Sequence, residues 1–481
     1  MSSSAASSVS TSTSVEAVAA AYSHAQHSYA HYTQALPTPA AMNKLPQIVL
    51  SAEEQAHYDR VVGRVLYRAV QEYAAFDGKI NRSVWTPVRR NRAMSIYRSL
   101  RSSGDPRATL MLGVGKINGS LEDVMDGLYS DNTVELRDVM TFLKSKFIVG
   151  CVMQVSEKRT PDDPFNFAGI KWFAAKTPGG AVSYDRDLLT YERQGMTFDA
   201  DGNEVAYHLL QSVDRPEWPA NTFKGLIRAH CSICYLYKRK GNKVETFFWG
   251  EFYASGSFPQ RLSDYGIAGK WLTVINTVKC SRARKLSQLR QAANSRTSTD
   301  SMTIADINNC HLCDSRRSLF SIQQLCGGCQ QNVCKSCSKV KKLFALNKDG
   351  RPIRDRFCNH CLSAVAKQRG SKISWGGSSA TQRRPLTPAY FHYAFHVSTD
   401  STSSLSDERY GAVSNMSTPL STGSGIDTAY LDGFMQNVDQ ESSGLGEDDW
   451  ESFERRRLSH VETLHNTPYS REQFLADLHV A

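Results

Sequence analysis

Between residues 45 and 290 the apolar positions switch from a helical period to a strand period and back again. Ser51 and Glu54 form an S-x-x-E capping box, and Val61, Val62, Val65, Leu66, Ala69 and Tyr73 then lie along one side of a helix predicted to reach about Phe76. The period shortens to two over Trp85 to Val88, Ala93 to Leu100 and Leu110 to Val114. A short helix follows, capped by Ser120 and Asp123, with Leu121, Val124, Met125 and Leu128 as its apolar face. Strands are predicted at Phe147 to Val155, Phe167 to Ala175 and Asp185 to Gln194, and Phe198 to Val205 turns at Asp201-Gly202 into Tyr207 to Val213. Gly225 to Tyr237 and Val244 to Tyr253 read as a hairpin around Lys240-Gly241-Asn242. From Ser263 the helical period returns, with Ile267, Trp271, Val274, Ile275 and Val278 on one stripe.

An antiparallel sheet this long cannot leave both faces wet, and the amphipathic helix after the last hairpin is its natural cover. The order helix, strands, helix, long meander, helix resembles the START helix-grip fold over residues 45–290. The resemblance implies an α+β domain, a curved antiparallel sheet gripping a C-terminal helix around an apolar tunnel. It further implies a sterol, phospholipid or ceramide-like ligand, held by about 0.8 kcal/mol per buried CH2. A filled core that binds nothing is the competing reading.

Outside that stretch the composition changes. Residues 1–44 are mostly Ser, Ala, Thr, Tyr and His with Glu16 as the sole acid and no arginine, which predicts disorder and excludes a mitochondrial presequence. Residues 291–301, the end of a basic stretch beginning at Ser281, read as a linker. Residues 370–481 are predicted mostly disordered and, from Ser401, carry fourteen acidic against five basic residues. Asp448 to Leu458 and Arg471 to Val480 are candidate partner-binding helices, and Arg455, Arg456 and Arg457 precede Ser459 as in a kinase site. The longest apolar run, Phe147 to Val155, is too short to span a bilayer, and no signal-peptide pattern opens the chain.

The chemistry is concentrated between Cys310 and Cys361, where eight cysteines form four C-x2-C pairs separated by 12, 4 and 20 residues. Four such turns supply two closed tetrahedral sulfur shells, a structural pattern with no open position for catalysis. The 4-residue gap assigns the second and third pairs to different metals. Cys310, Cys313, Cys334 and Cys337 thus hold one Zn²⁺, and Cys326, Cys329, Cys358 and Cys361 the other. Twelve cysteines without a leader point to reduced thiols in the cytoplasm rather than a disulfide framework.

RING and PHD fingers place a histidine among the middle ligands; here His311 and His360 sit inside C-x2-C loops as spare residues. The spacing over residues 302–369 resembles the FYVE finger, whose family binds phosphatidylinositol 3-phosphate on endosomes. The family's R-R/K-H-H-C-R-x-C-G signature falls on Ile322 to Gln330, so its histidines and flanking arginines are absent, and its leading W-x-x-D is missing. Arg356, Phe357 and Cys358 match its R-V-C. The resemblance implies peripheral attachment to endosomal membranes, with headgroup contact through Arg356, Arg354, Lys341 and Lys342 and insertion of Leu319 and Phe320. Residues 301–370 hold twelve Lys and Arg against four Asp and Glu, which suits an acidic surface; nucleic acid is the less favoured partner.

Three patterns lack the context their chemistry needs. Gly113, Gly115 and Gly119 are spaced G-x-G-x3-G without a following G-K-S/T, and Asp199 to Asn203 brings its glycine too early for a calcium loop. Cys231 and Cys234 are a fifth C-x2-C, but on a strand residues three apart face opposite ways. With no nucleophile, metal-water or nucleotide motif, the chain reads as a non-enzymatic lipid-binding protein. The alternative is an interaction scaffold with a solid START-like core, whose finger and tail engage protein partners.

Overall fold

A computed structural model describes residues 42, 47–101, 107–177, 184–220, 222–255, 260–297, 309–316 and 324–368. The predicted disordered segments apart from Met42, and Leu319 and Phe320, lie outside the described residues. Helix α1 (Ala52–Ala74) begins as its capping box dictates. The Ser51 Oγ accepts from the Glu54 N–H at 3.1 Å, and the Glu54 carboxylate accepts from the Ser51 N–H at 2.9 Å. Strands β1 (Trp85–Arg90), β2 (Met94–Ser99) and β3 (Thr109–Asn118) follow, and the Gly113 and Gly115 pattern falls inside β3. Ser120 caps α2 (Leu121–Leu128).

Helix α3 (Thr133–Leu143) was not predicted. Its signals are Asn132, whose side chain accepts from the Glu135 N–H, and buried Leu136, Val139 and Leu143 at helical spacing. The meander then runs β4 (Phe147–Glu157), β5 (Phe167–Ala175), β6 (Asp185–Phe198), β7 (Glu204–Ser212), β8 (Leu226–Arg228), β9 (His230–Lys240) and β10 (Lys243–Tyr253). Gly202 (φ +78°) and Gly241 (φ +63°) take the left-handed positions that the two tight turns require.

These strands form one ten-stranded sheet in the order β1-β2-β3-β10-β9-β7-β6-β5-β4, antiparallel throughout except for β8, which pairs parallel with β6. Alternation sends side chains into two cores. On one face Val62, Leu66 and Ala69 of α1 pack with Trp172, Tyr191, Leu236 and Trp249. On the other, Met111, Ile233, Tyr237 and Phe248 meet the covering helices. Cys231 belongs to the second core and Cys234 to the first, as strand geometry requires.

The predicted single helix from Ser263 is three pieces: α4 (Gln260–Trp271), a 3₁₀ segment (Leu272–Asn276) and α5 (Thr277–Thr297). Ile267, Trp271, Val274 and Val278 still reach one core, because the tighter 3₁₀ turn rotates the stripe without breaking it. Residues 291–297 of the expected linker continue α5 as helix. Its polar residues are not a solvated run. Arg284 and Lys285 are buried against Asp123 and Asp126 of α2, acids from a distant part of the sequence.

The Cys-rich segment adds β11 (Gln324–Leu325) with β12 (Asn332–Val333), β13 (Ser338–Leu346) with β14 (Pro352–Cys358), and α6 (Asn359–Lys367). Among the described residues no helix is long and apolar enough to cross a membrane.

Candidate metal centre and grip interior

The eight cysteines gather into the two interleaved groups that the spacing assigns: Cys310, Cys313, Cys334 and Cys337, and Cys326, Cys329, Cys358 and Cys361. Within each group the sulfurs lie within 4.8 Å of one another. Cys313 Sγ is 3.7 Å from Cys334 Sγ, and Cys329 Sγ is 3.9 Å from Cys358 Sγ. A tetrahedral ion with metal–sulfur bonds of ~2.3 Å has sulfur–sulfur edges of about 3.8 Å, whereas a disulfide needs about 2.05 Å. The donors therefore fit a closed four-sulfur shell twice over, and His311 and His360 stand outside both.

Two local devices build the shells. Cys310–Cys313 and Cys326–Cys329 are matching turns. Asp314 N–H donates to Cys310 O (2.8 Å) and Gln330 N–H to Cys326 O (2.9 Å), with both closing residues left-handed at φ +53° and +60°. Cys358 instead caps α6, its Sγ accepting from the Cys361 N–H at 3.3 Å, so this pair sits at a helix N-terminus that favours thiolate. Backbone N–H groups of Gly328 and Cys358 also point at Cys326 Sγ, at 3.4 and 3.2 Å. Cys326 is held well below the usual thiol range, first by its sulfur contact with Cys329 and, against the opposing effect of burial, by the amides of Cys329, Cys358 and Gly328. The Ser336 hydroxyl leads in lowering Cys334 to about 6. Thiolate is the form that ligates metal.

The cationic residues expected at a headgroup fall on the β13–β14 hairpin. Val340 pairs with Arg356, Lys341 with Asp355, and Lys342 with Arg354. By strand alternation Lys342, Arg354 and Arg356 share one face with exposed Val340, while Lys341 lies on the other beside Asp355. Arg356 is also a structural tie, donating to Gln324 Oε1 (2.6 Å) and Ser338 Oγ (2.9 Å).

The second site, which no local motif announces, is on the sheet face that bears the core shared with α4 and α5, beside the end of α2. Lys171 Nζ donates to Glu192 Oε2 at 2.9 Å and to Ser130 Oγ at 3.2 Å, and His208 Nε2 lies 3.4 Å from the same carboxylate. Burial alone would push the Glu192 carboxyl up. The Lys171 ammonium, then His208, outweighs it and holds Glu192 down at about 2. Beside this cluster, Gln194 (both amide atoms), Tyr237 Oη and Thr246 Oγ1 are buried with no hydrogen-bond partner among the described residues. Gln194 pairs across strands with His208, and Tyr237 with Thr246. Tyr235, Phe248 and Trp271 pack ring against ring beneath α4, with centroids 4.5 to 6.3 Å apart.

Sheet order and covering helix make this an α+β helix-grip fold joined to a two-centre cysteine finger. No family model matches the chain, and no curated protein sequence matches it. Among solved structures it is similar to human StAR-related lipid transfer protein 5, at 16% identity over 47% of this chain and 98% of that one, with a TM-score of 0.36. It is also similar to the lipid transfer and protein localization domain of human StarD13 (13% identity, 44% and 94% covered, TM-score 0.31). A STAR-related lipid transfer protein from Xanthomonas axonopodis is 14% identical, with 40% and 96% covered and a TM-score of 0.30. With TM-scores below 0.5, the fold rests on the topology itself rather than on these likenesses.

Proposed function

We propose that this is a non-enzymatic, peripheral-membrane lipid-binding protein. Its helix-grip interior takes a lipid with a polar head, and its finger, loaded with two Zn²⁺ ions, meets anionic membrane. The observation that carries the reading is the set of unpartnered polar atoms on Gln194, Tyr237 and Thr246, buried between an apolar core and the Lys171–Glu192–His208 cluster. A buried polar group left unpaired costs about 1–3 kcal/mol, so a ligand hydroxyl, phosphate or amide that bonds to these atoms is bound with that gain added to burial of its tail. Lys171 and Glu192 supply a fixed dipole beside them. The finger reads as FYVE-type by its spacing, and Lys342, Arg354 and Arg356 offer charge to acidic headgroups, including a 3-phosphoinositide of the endosome.

Mass spectrometry of the purified full chain tests the interior. A copurifying lipid is expected, and its occupancy falls when Gln194→Leu and Thr246→Val remove the polar partners. A protein that carries no lipid and takes none from vesicles sinks the reading. Sedimentation with acidic vesicles, with and without the phosphoinositide, tests the finger in the same way, and no pelleting in either removes its targeting role. One observation favours a second reading, a scaffold with a solid core: the ring packing of Tyr235, Phe248 and Trp271 fills space that a lipid tail would need. Absence of lipid in the same spectra is its signature.

A further inference from the structure

The finger and the grip share one helix. The first half of α5 belongs to the grip: Val278 and Cys280 lie in its core, and Ser281 Oγ donates to Asp126 Oδ2 at 2.7 Å. Arg284 donates to the carbonyls of Asp126 and Tyr129, each at 2.8 Å. The second half belongs to the finger, where Leu286 and Leu289 pack among the buried cysteines and Phe357. Ser287 Oγ accepts from the Phe344 N–H at 2.8 Å, and Arg290 pairs with Asp355 at 2.9 Å.

Two residues cross the junction. Phe344 of β13 packs against the grip core, meeting Phe142 of α3 at 6.1 Å, while the Arg284 guanidinium lies 4.4 Å from its ring centroid. Lys285, whose side chain is fully buried, donates both to Asp123 of α2 and to the Gln368 carbonyl at the end of α6. Its charge is thus matched by one partner from the grip and one from the finger.

We propose that the finger is the latch of the grip: metal loading holds α5 closed against α2, α3 and the sheet, and metal loss releases it. Folding of such a finger is metal-dependent, because each shell is closed by residues far apart in sequence. Without the shells, Leu286 and Leu289 lose their core, Phe344 loses the strand pair that aims it, and Lys285 loses the Gln368 carbonyl. The buried Lys285 ammonium is then under-coordinated, so the helix end bearing it moves toward water. As α5 with α4 is the cover of the interior, the latch makes entry to that interior depend on the metal state of the finger; this last clause rests on the lipid-binding reading above.

Hydrogen exchange of the full chain tests the latch without needing a ligand. Stripping metal with a thiol-competing chelator is expected to speed exchange in the first half of α5 and in α2 by about tenfold or more, with β5, β6 and β7 still protected. Re-addition of Zn²⁺ restores protection. A Lys285→Met, Phe344→Ala variant, which keeps all eight cysteines, is expected to show the loosened α5 while retaining its metal. Unchanged exchange in α5 and α2 while the finger amides become unprotected overturns the latch. So does loss of protection across β5 to β7, which makes the metals supports of the whole fold. Failure of the lipid reading appears elsewhere, as a lipid-free mass spectrum of the metal-loaded protein, and leaves the exchange result standing.

Discussion

Asp138 on α3 has a buried carboxyl whose Oδ1 is met only by Arg137 Nε at 3.7 Å, too far for a hydrogen bond. Burial is the largest influence and pushes its pKa up to about 6. An unfolded aspartate titrates near 3.9, so the folded state binds this proton more tightly. The contribution to stability is greatest below about pH 4, declines as pH rises to about 6, and is flat above, a cost on the order of 3 kcal/mol at pH 7. Asp138→Asn is therefore expected to raise the melting temperature at pH 7 and to flatten its decline between pH 4 and 6. An unchanged profile in thermal melts across that range would count against the assignment. Gln330 makes a different demand: at φ +60° it closes a ligand turn in a conformation that β-branched residues strongly resist. Gln330→Val is expected to weaken metal binding at the Cys326 centre at least tenfold in a competition titration with a chromophoric chelator, whereas Gln330→Gly is expected to leave it close to wild type. The cysteines themselves are legible one by one because ligand spacing is a local property. The left-handed residue that closes each turn is not, since neither Asp314 nor Gln330 is the glycine usually found there.

Helix α5 shows what sequence pattern misses at the level of an element. Residues 281–300 look like a solvated basic connector, but burial is decided by partners, and the aspartates that pair with Arg284 and Lys285 lie more than 150 residues upstream. Arg284→Ala is expected to cost about 3–5 kcal/mol in urea unfolding, the usual penalty for stripping one partner from a buried charge network. Arg159, which also reaches Asp126 at 3.0 Å, would hold the loss toward the lower end. A loss under about 1 kcal/mol would mean that the helix is no more than the surface connector its composition suggests. Helix α3 is hidden for a simpler reason: it is a short element between α2 and β4, and only Leu136, Val139 and Leu143 among its apolar residues are fully buried. The meander is more legible, although the strand expected over Gly225 to Tyr237 divides into β8, parallel to β6, and β9. Phe167–Ala175 and the turn at Asp199–Asn203 stand where the pattern placed them, because period-two alternation and turn chemistry are both short-range.

For the molecule as a whole the prediction is stoichiometric. Elemental analysis of the purified chain is expected to find two zinc ions per polypeptide; one, or a different metal, would break the assignment of eight ligands to two Zn²⁺ shells. What the sequence by itself determined is the set of features built from near neighbours: the capping box of α1, the strand meander, the four C-x2-C turns and even their cross-braced sharing, since a 4-residue gap leaves few ways to close two tetrahedra. Only the tertiary structure decided which polar residues are buried. It put Lys171, Glu192 and His208 together from three strands, left Gln194, Tyr237 and Thr246 unpaired beside them, and made α5 common to finger and grip. The physical reason is that spacing and periodicity are set by bond geometry along the chain, whereas desolvation and charge pairing depend on which distant segments the sheet brings within a few ångströms.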